Sequence, residues 1–357
     1  MKFNPARLGI ARKRRMLNKT TLASQIGVDL RTIVRWEHCQ SAPTDENLRA
    51  LVSTLGFPQS FFFAPEVDEP LSEHISFRSQ KSMTAAEREA SLAAGQIAFL
   101  ISDWVTERFN LPEPKLPDLR HFKPEEAARM LRHEWGLGEK PIGNMIQLLE
   151  AKGVRVFSLA ENTAHVNAYS LWRRNVPYVF LNTFKSAECS RFDAAHELGH
   201  LVLHQDGAVT GRAAEDQANH FASAFLMPEV DLRSALPVIH DLKQLMTAKK
   251  RWRVSLAALN YRVHRIGLIS EWRNRDFCIA IAKHGYNVSE PCPIERERSV
   301  VWEKVLKALW AEKTTQVDVA EQLFLPVSEV ADLLFGVLTF NPPEPGKSGS
   351  SLVSVAE

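Results

Sequence analysis

The sequence predicts an α+β chain, mostly helical, with a helical bundle at the N-terminus, a central domain holding a small sheet, and a helical C-terminal region. Three observations carry this prediction. Apolar residues recur at three- and four-residue spacing along most of the chain. Short runs of β-branched and aromatic residues that read as strands fall between residues 154 and 182. Breaks at the acidic, Pro-containing stretch 66–73 and at Pro112, Pro114 and Pro117 divide the helical runs.

With 357 residues, 45 % of them hydrophobic and 24 % charged, the composition is that of a globular protein of two or three domains. No apolar run reaches the roughly 18 residues of a membrane span, and the N-terminus lacks a signal-peptide core. A cytoplasmic protein with no membrane partner is expected. The four cysteines, Cys39, Cys189, Cys278 and Cys292, stand far apart, which indicates neither a disulfide framework nor a thiolate zinc site. The net charge of +2 hides an asymmetry: nine Lys or Arg precede residue 41, against Asp29 and Glu37. Only that end is suited to a polyanion such as double-stranded DNA.

The first helix is expected over 6–16, with Leu8, Ile10, Ala11 and Leu17 inward and the basic residues outside. A short helix, 22–26, ends at Gly27, a residue fit for a left-handed cap, and Asp29 caps the next helix, 30–37. Helix, glycine turn and helix make the layout whose second helix enters the major groove. The pairs Leu22-Ala23, Gly27-Val28 and Trp36-Glu37, with Ile33 and Pro43, resemble the Cro/cI-type (Xre) regulators over about residues 6–64. Cys39 stands where that family usually has Gly. By the motif's geometry Arg31, Thr32 and Arg35 reach bases, while Arg12, Lys13 and Lys19 meet phosphates; Trp36 is a core anchor.

One long helix follows, 84–110, on the periodicity of Leu92, Ile97, Leu100, Ile101, Trp104, Val105 and Phe109. It suits an amphipathic core helix, or a bridge between domains or between two chains of a homodimer. Pro124 opens another helix, and 143–152 precedes a strand at 154–159. The runs 168–172 and 176–182 read as a hairpin turned at 173–175. That small sheet leads directly into 193–204, the motif of greatest chemical content.

His196 and His200 lie four apart in a helix-favouring run, so one helical face can aim two imidazoles at a single metal ion. Glu197, about 100° round the helix from His196, flanks the ion as a non-ligand able to take a proton from water. His204 lies about 12 Å along a straight helix from His196 and is expected outside the ligand set. The third ligand is sought on the next helix, 213–228, where Glu215 and Asn219 share a side; His220 and Asp216 are the runners-up.

The two helices together resemble the ImmA/IrrE metallopeptidases, through Ala195-His196-Glu197-Leu198-Gly199-His200, His204, Glu215 with Ala218-Asn219, Phe221-Ala222 and Leu226-Met227-Pro228. The resemblance runs over roughly 120–292. It implies a zincin-like domain with Zn2+ held by His196, His200 and Glu215, and Glu197 as general base. Members of that family cleave helix-turn-helix repressors, so a repressor protein is the implied substrate. A zincin sheet also offers an edge strand to which an extended substrate adds, and this order of elements permits one. Tyr169 is the candidate oxyanion stabiliser.

A helix at 300–311 and a second helix-turn-helix rhythm at 317–334, without bases in its last helix, are expected to pack or self-associate. Residues 341–357 read as a disordered tail. The expected divisions are 1–64 for DNA binding, 65–116 for linker and long helix, 117–292 for the metallopeptidase and 293–340 for the C-terminal module. The sequence therefore points to a DNA-binding regulator carrying a zinc endopeptidase that cleaves a repressor or itself. The alternative is a transcription factor whose peptidase-like domain is a non-catalytic metal sensor or scaffold.

Overall fold

The computed structural model describes residues 2–69, 76–77, 84–159, 168–205 and 209–334; the expected tail lies outside them. The chain is α+β and mostly helical, as its sequence predicts. The N-terminal bundle comprises α1 (Pro5–Arg14), α2 (Lys19–Ile26), α3 (Leu30–Glu37), α4 (Asp45–Leu55) and a 3-10 turn at Gln59–Phe63. Asn18, Asp29 and Thr44 cap α2, α3 and α4 through their side-chain oxygens, and Gly27 ends α2 in the left-handed conformation. Leu8, Leu22, Ile33, Trp36, Leu48, Leu51 and Leu55 make its core.

The helix α5 (Ala85–Thr106) starts at a capping box between Thr84 and Glu87. It is buried on nearly all sides, between α1 and the sheet. The sheet holds β1 (Ser76–Phe77), β2 (Arg155–Leu159), β3 (Tyr169–Arg173) and β4 (Val176–Asn182) in the order β1-β3-β4-β2. β3 and β4 form the expected hairpin, turned at Arg174 and Asn175, whose φ values are +49° and +61°. β2 runs parallel to β4, and β1 antiparallel to β3.

The two faces of the sheet meet different cores. Tyr169, Leu171, Tyr178 and Phe180 join α5 and the N-terminal bundle, whereas Val179 and Leu181 join the metal-motif helix. Period-two alternation along β3 and β4 produces this division. Gly95 lets α5 lie close to the sheet, since a Cβ there would come 2.7 Å from the Tyr169 hydroxyl oxygen.

Two helices, α6 (Pro124–Glu134) and α7 (Met145–Ala151), precede the hairpin in sequence; α8 (Ala187–Leu203) and α9 (Gly211–Leu226) follow it. Then come α10 (Glu229–Ala235), α11 (Leu242–Trp252), α12 (Leu256–Arg265) and α13 (Glu271–Lys283). The last three helices, α14 (Val300–Ala311), α15 (Gln316–Gln322) and α16 (Val327–Leu333), fold back onto the first core. Trp302 packs against Phe157 at a tilt of 52°, and its indole N–H donates to the Val156 carbonyl at 2.7 Å. Glu329 accepts from Arg14 at 2.7 Å and from Arg15 at 2.5 Å.

That contact corrects the expectation for α1. Arg7, Arg12 and Arg14 are buried rather than left outside. Helix α1 is enclosed by α3, α5 and α16, so its basic side chains meet protein acids and carbonyls on faces the isolated sequence leaves to solvent. Among the described residues no helix is long and apolar enough to cross a membrane.

Candidate metal centre

The helix α8 is buried along almost its whole length, and its N-terminal half is held by charges from distant segments. Glu188 accepts from Lys249 at 2.9 Å and from the Ile294 N–H at 3.1 Å. Arg191 pairs with Glu297, and Lys185 with Asp193. Gly199 permits the close crossing of α8 and α9: a Cβ there would meet Phe221 at 3.1 Å and the Ala218 Cα at 3.3 Å.

This crossing brings the two halves of the motif together. The Nε2 atoms of His196 and His200 stand 3.0 Å apart. Each lies 3.4 Å from an oxygen of Glu215 on α9. Tetrahedral ligands placed about 2.0–2.1 Å from a zinc ion are about 3.3–3.4 Å from one another, so this donor triangle fits such an ion. Among the described residues His196, His200 and Glu215 form a group able to hold a metal. When both imidazoles are protonated, their hydrogen bonds and charges outweigh burial, which alone would raise the Glu215 carboxyl, and hold it well below the usual range.

Both imidazoles are oriented from behind. The Nδ1 of His196 lies 3.0 Å from the Asn219 side-chain oxygen. An amide oxygen only accepts, so His196 carries its proton on Nδ1 and turns the Nε2 lone pair inward. His200 Nδ1 lies 2.9 Å from His204 Nδ1, and His204 Nε2 lies 2.9 Å from the Gln217 side-chain oxygen. One assignment satisfies this relay: His204 donates to Gln217 and accepts from His200, whose Nε2 is then unprotonated.

Glu197 is fully buried beside the triangle. Its Oε2 accepts from the Ser170 hydroxyl of β3 at 2.6 Å. The runners-up for third ligand lie elsewhere: His220 stacks on Tyr261, and Asp216 is exposed, 3.9 Å from Arg212. Tyr169 is corrected. Its hydroxyl donates to the Ser91 carbonyl at 2.8 Å, on the sheet face turned away from α8, so it is not at hand for an oxyanion.

Residues 8–58 match the helix-turn-helix family, and residues 149–264 match the IrrE N-terminal-like domain of the M78 peptidase family. The two matches lie in one polypeptide, as a helix-turn-helix segment followed by an IrrE-like segment. No curated protein matches it. The IrrE-like segment spans β2 to most of α12 and thus includes the whole donor triangle, with Glu197, Ser170 and Asn219. The helix-turn-helix segment supports DNA binding.

On the helix-turn-helix segment, Arg31 and Arg35 of α3 are exposed and Thr32 is half-buried. Neither arginine has an ion pair among the described residues. Lys13 is half-buried, and Lys19 lies 2.9 Å from Glu37. Arg12 is corrected as a phosphate contact: it is 5 % exposed, donates to Glu37 at 2.7 Å and to the Leu17 carbonyl at 2.7 Å, and so fastens α1 to α3. Cys39 has a φ of +59°, the left-handed conformation that favours Gly at this turn.

Sequence reasoning missed Ser170 and Gln217. Asn219 carried a signal, its placement four residues after Glu215 on the same side of α9. Ser170 carried none, because only strand pairing brings it to Glu197.

Proposed function

We propose that this chain is a DNA-binding regulator whose IrrE-like segment is a zinc-dependent endopeptidase acting on a repressor protein or on the chain itself. The observation that carries the reading is the convergence of His196, His200 and Glu215 beside the buried Glu197. Zn2+ held by these three residues would supply Lewis acidity, polarising a peptide carbonyl and making water more acidic.

The chain's own groups do the remaining work. Asn219 and the relay through His204 to Gln217 keep both imidazoles in the ligating tautomer. Glu197 accepts a proton from water as its oxygen bonds to the carbonyl carbon, and returns it to the amine nitrogen as the C–N bond breaks. Ser170 fixes the carboxylate for that transfer. On the DNA side, Arg31, Thr32 and Arg35 face base edges from α3, with Lys13 and Lys19 towards the phosphates.

The test is metal dependence. Purified full-length chain, stripped with chelator and then titrated with Zn2+, is incubated with helix-turn-helix repressor proteins and alone. Cleavage that appears at about one zinc per chain and disappears on chelation is expected. One tightly held zinc with no cleavage of any such protein would instead support the sensor reading. A DNA shift that weakens steeply with salt tests the N-terminal module.

A further inference from the structure

β3 is the strand that lies over the metal-motif helix, and its side away from β4 is where an extended polypeptide would add. In this structure that side is taken. Ser76 pairs with Ser170 and Phe77 with Tyr169, antiparallel. Ser170 is the residue whose hydroxyl holds Glu197 at 2.6 Å. The chain's own backbone therefore runs at the point where a substrate strand would meet the general base.

Two further observations fit this arrangement. Asp68 is fastened at the other end of β3: Arg173 lies 2.7 Å and Arg174 2.8 Å from its carboxylate. Asp68 thus lies at the Arg173 end of β3, and Ser76 pairs three residues away, at Ser170. His196 and Glu197 are also wholly buried, with His200 nearly so.

Resting on the peptidase reading above, we infer that Ser76–Phe77 acts as a tethered pseudosubstrate that blocks the edge of β3 in cis. Asp68 and Ser76 are joined by seven intervening residues, eight Cα–Cα steps that can reach about 26 Å, whereas the strand between Arg173 and Ser170 spans only about 10 Å. The segment can thus leave and return without disturbing the Asp68 anchor. A short tether holds it at an effective concentration of about a millimolar, above that of most free polypeptides. The substrate is then an extended polypeptide able to pair with β3 once this segment has been displaced.

The experiment compares the full-length chain with S76P/F77P, in which proline removes the ladder donors, and with the milder S76G/F77G. A fluorescent peptide with the sequence of residues 70–83 is titrated into each without added metal, while amide exchange is followed at Tyr169–Leu171 and at Val179 and Phe180. The variants are expected to bind the peptide at least tenfold more tightly than the unaltered chain. Their β3 amides should exchange faster until peptide is added, with β4 protection retained. Equal peptide binding, or equal β3 exchange in a variant whose β4 remains protected, would overturn the inference.

A second arm adds Zn2+ and an unfolded polypeptide, reduced and alkylated casein. Cleavage at least tenfold faster by the variants supports the inference. Cutting of the unaltered chain within 70–83 overturns it by making the segment a substrate. No cleavage by any form overturns the peptidase reading alone, and the metal-free binding arm still decides whether β3 is occupied.

Discussion

The candidate metal centre and helix α3, the proposed DNA-reading helix, are built on opposite principles. In the centre, His196, Glu197 and His200 are buried, and each has a partner that fixes its orientation or proton: Asn219, Ser170 and His204. On α3, Arg31 and Arg35 are exposed and have no ion pair among the described residues. A reacting centre needs geometry fixed in advance, whereas a groove-reading helix needs charges that remain available. Substitutions in the first region should therefore disturb metal or fold, while those in the second should alter binding and leave stability intact.

The largest effect on folding is expected where α8 is anchored. Lys249→Met leaves Glu188 and Glu290 buried without their shared cation, and a loss of about 3–5 kcal/mol is expected in denaturant unfolding. If the loss is below about 1 kcal/mol, this buried pair does not set the position of α8. Next comes Asn219→Ala, which frees the His196 ring; zinc affinity should fall about 10–100-fold in a competition titration while the fold persists. An unchanged affinity would remove Asn219 from the account.

The contrasting region should respond differently. Arg35→Ala is expected to weaken specific DNA binding by about 1–3 kcal/mol with the melting temperature unchanged. A drop in stability instead would mean that α3 is held by this residue. Glu37 offers a pH test of the same bundle. Burial would raise its carboxyl, yet the hydrogen bonds and charges of Arg12 and Lys19 outweigh burial and hold it below the ordinary range. A depressed folded value stabilises above the unfolded value and is lost as pH falls through the folded one, so bundle stability should decline on acidification. Glu37→Gln should flatten that decline. The smallest change is Cys39→Gly, which relieves the left-handed φ and should stabilise by about 1 kcal/mol or less.

How much was legible in the sequence follows from how local each feature is. His196 and His200 are one helical turn apart, so their spacing alone placed them on one face, and Glu215 with Asn219 showed the same periodicity on the next helix. The caps at Gly27 and Asp29 are equally local. Ser170 was invisible because the hairpin, not its neighbours, brings it 27 residues back onto Glu197. Arg12 and Arg14 were misplaced for a related reason. Their run reads as a basic solvent face until α3 supplies Glu37, and α16, 315 residues on, supplies Glu329. The second helix-turn-helix rhythm, α15 and α16, is legible as a pair of helices, but its docking against α1 through Glu329 follows only from the tertiary fold.

The most direct test of the account is a paired measurement on the full-length chain and Glu197→Gln: bound zinc by elemental analysis, and cleavage rate under the same conditions. The account predicts equal zinc, about one per chain, with cleavage reduced by about 10²–10⁴-fold in Glu197→Gln. Equal zinc with cleavage undiminished would contradict it, since Glu197 would then move no proton in the reaction.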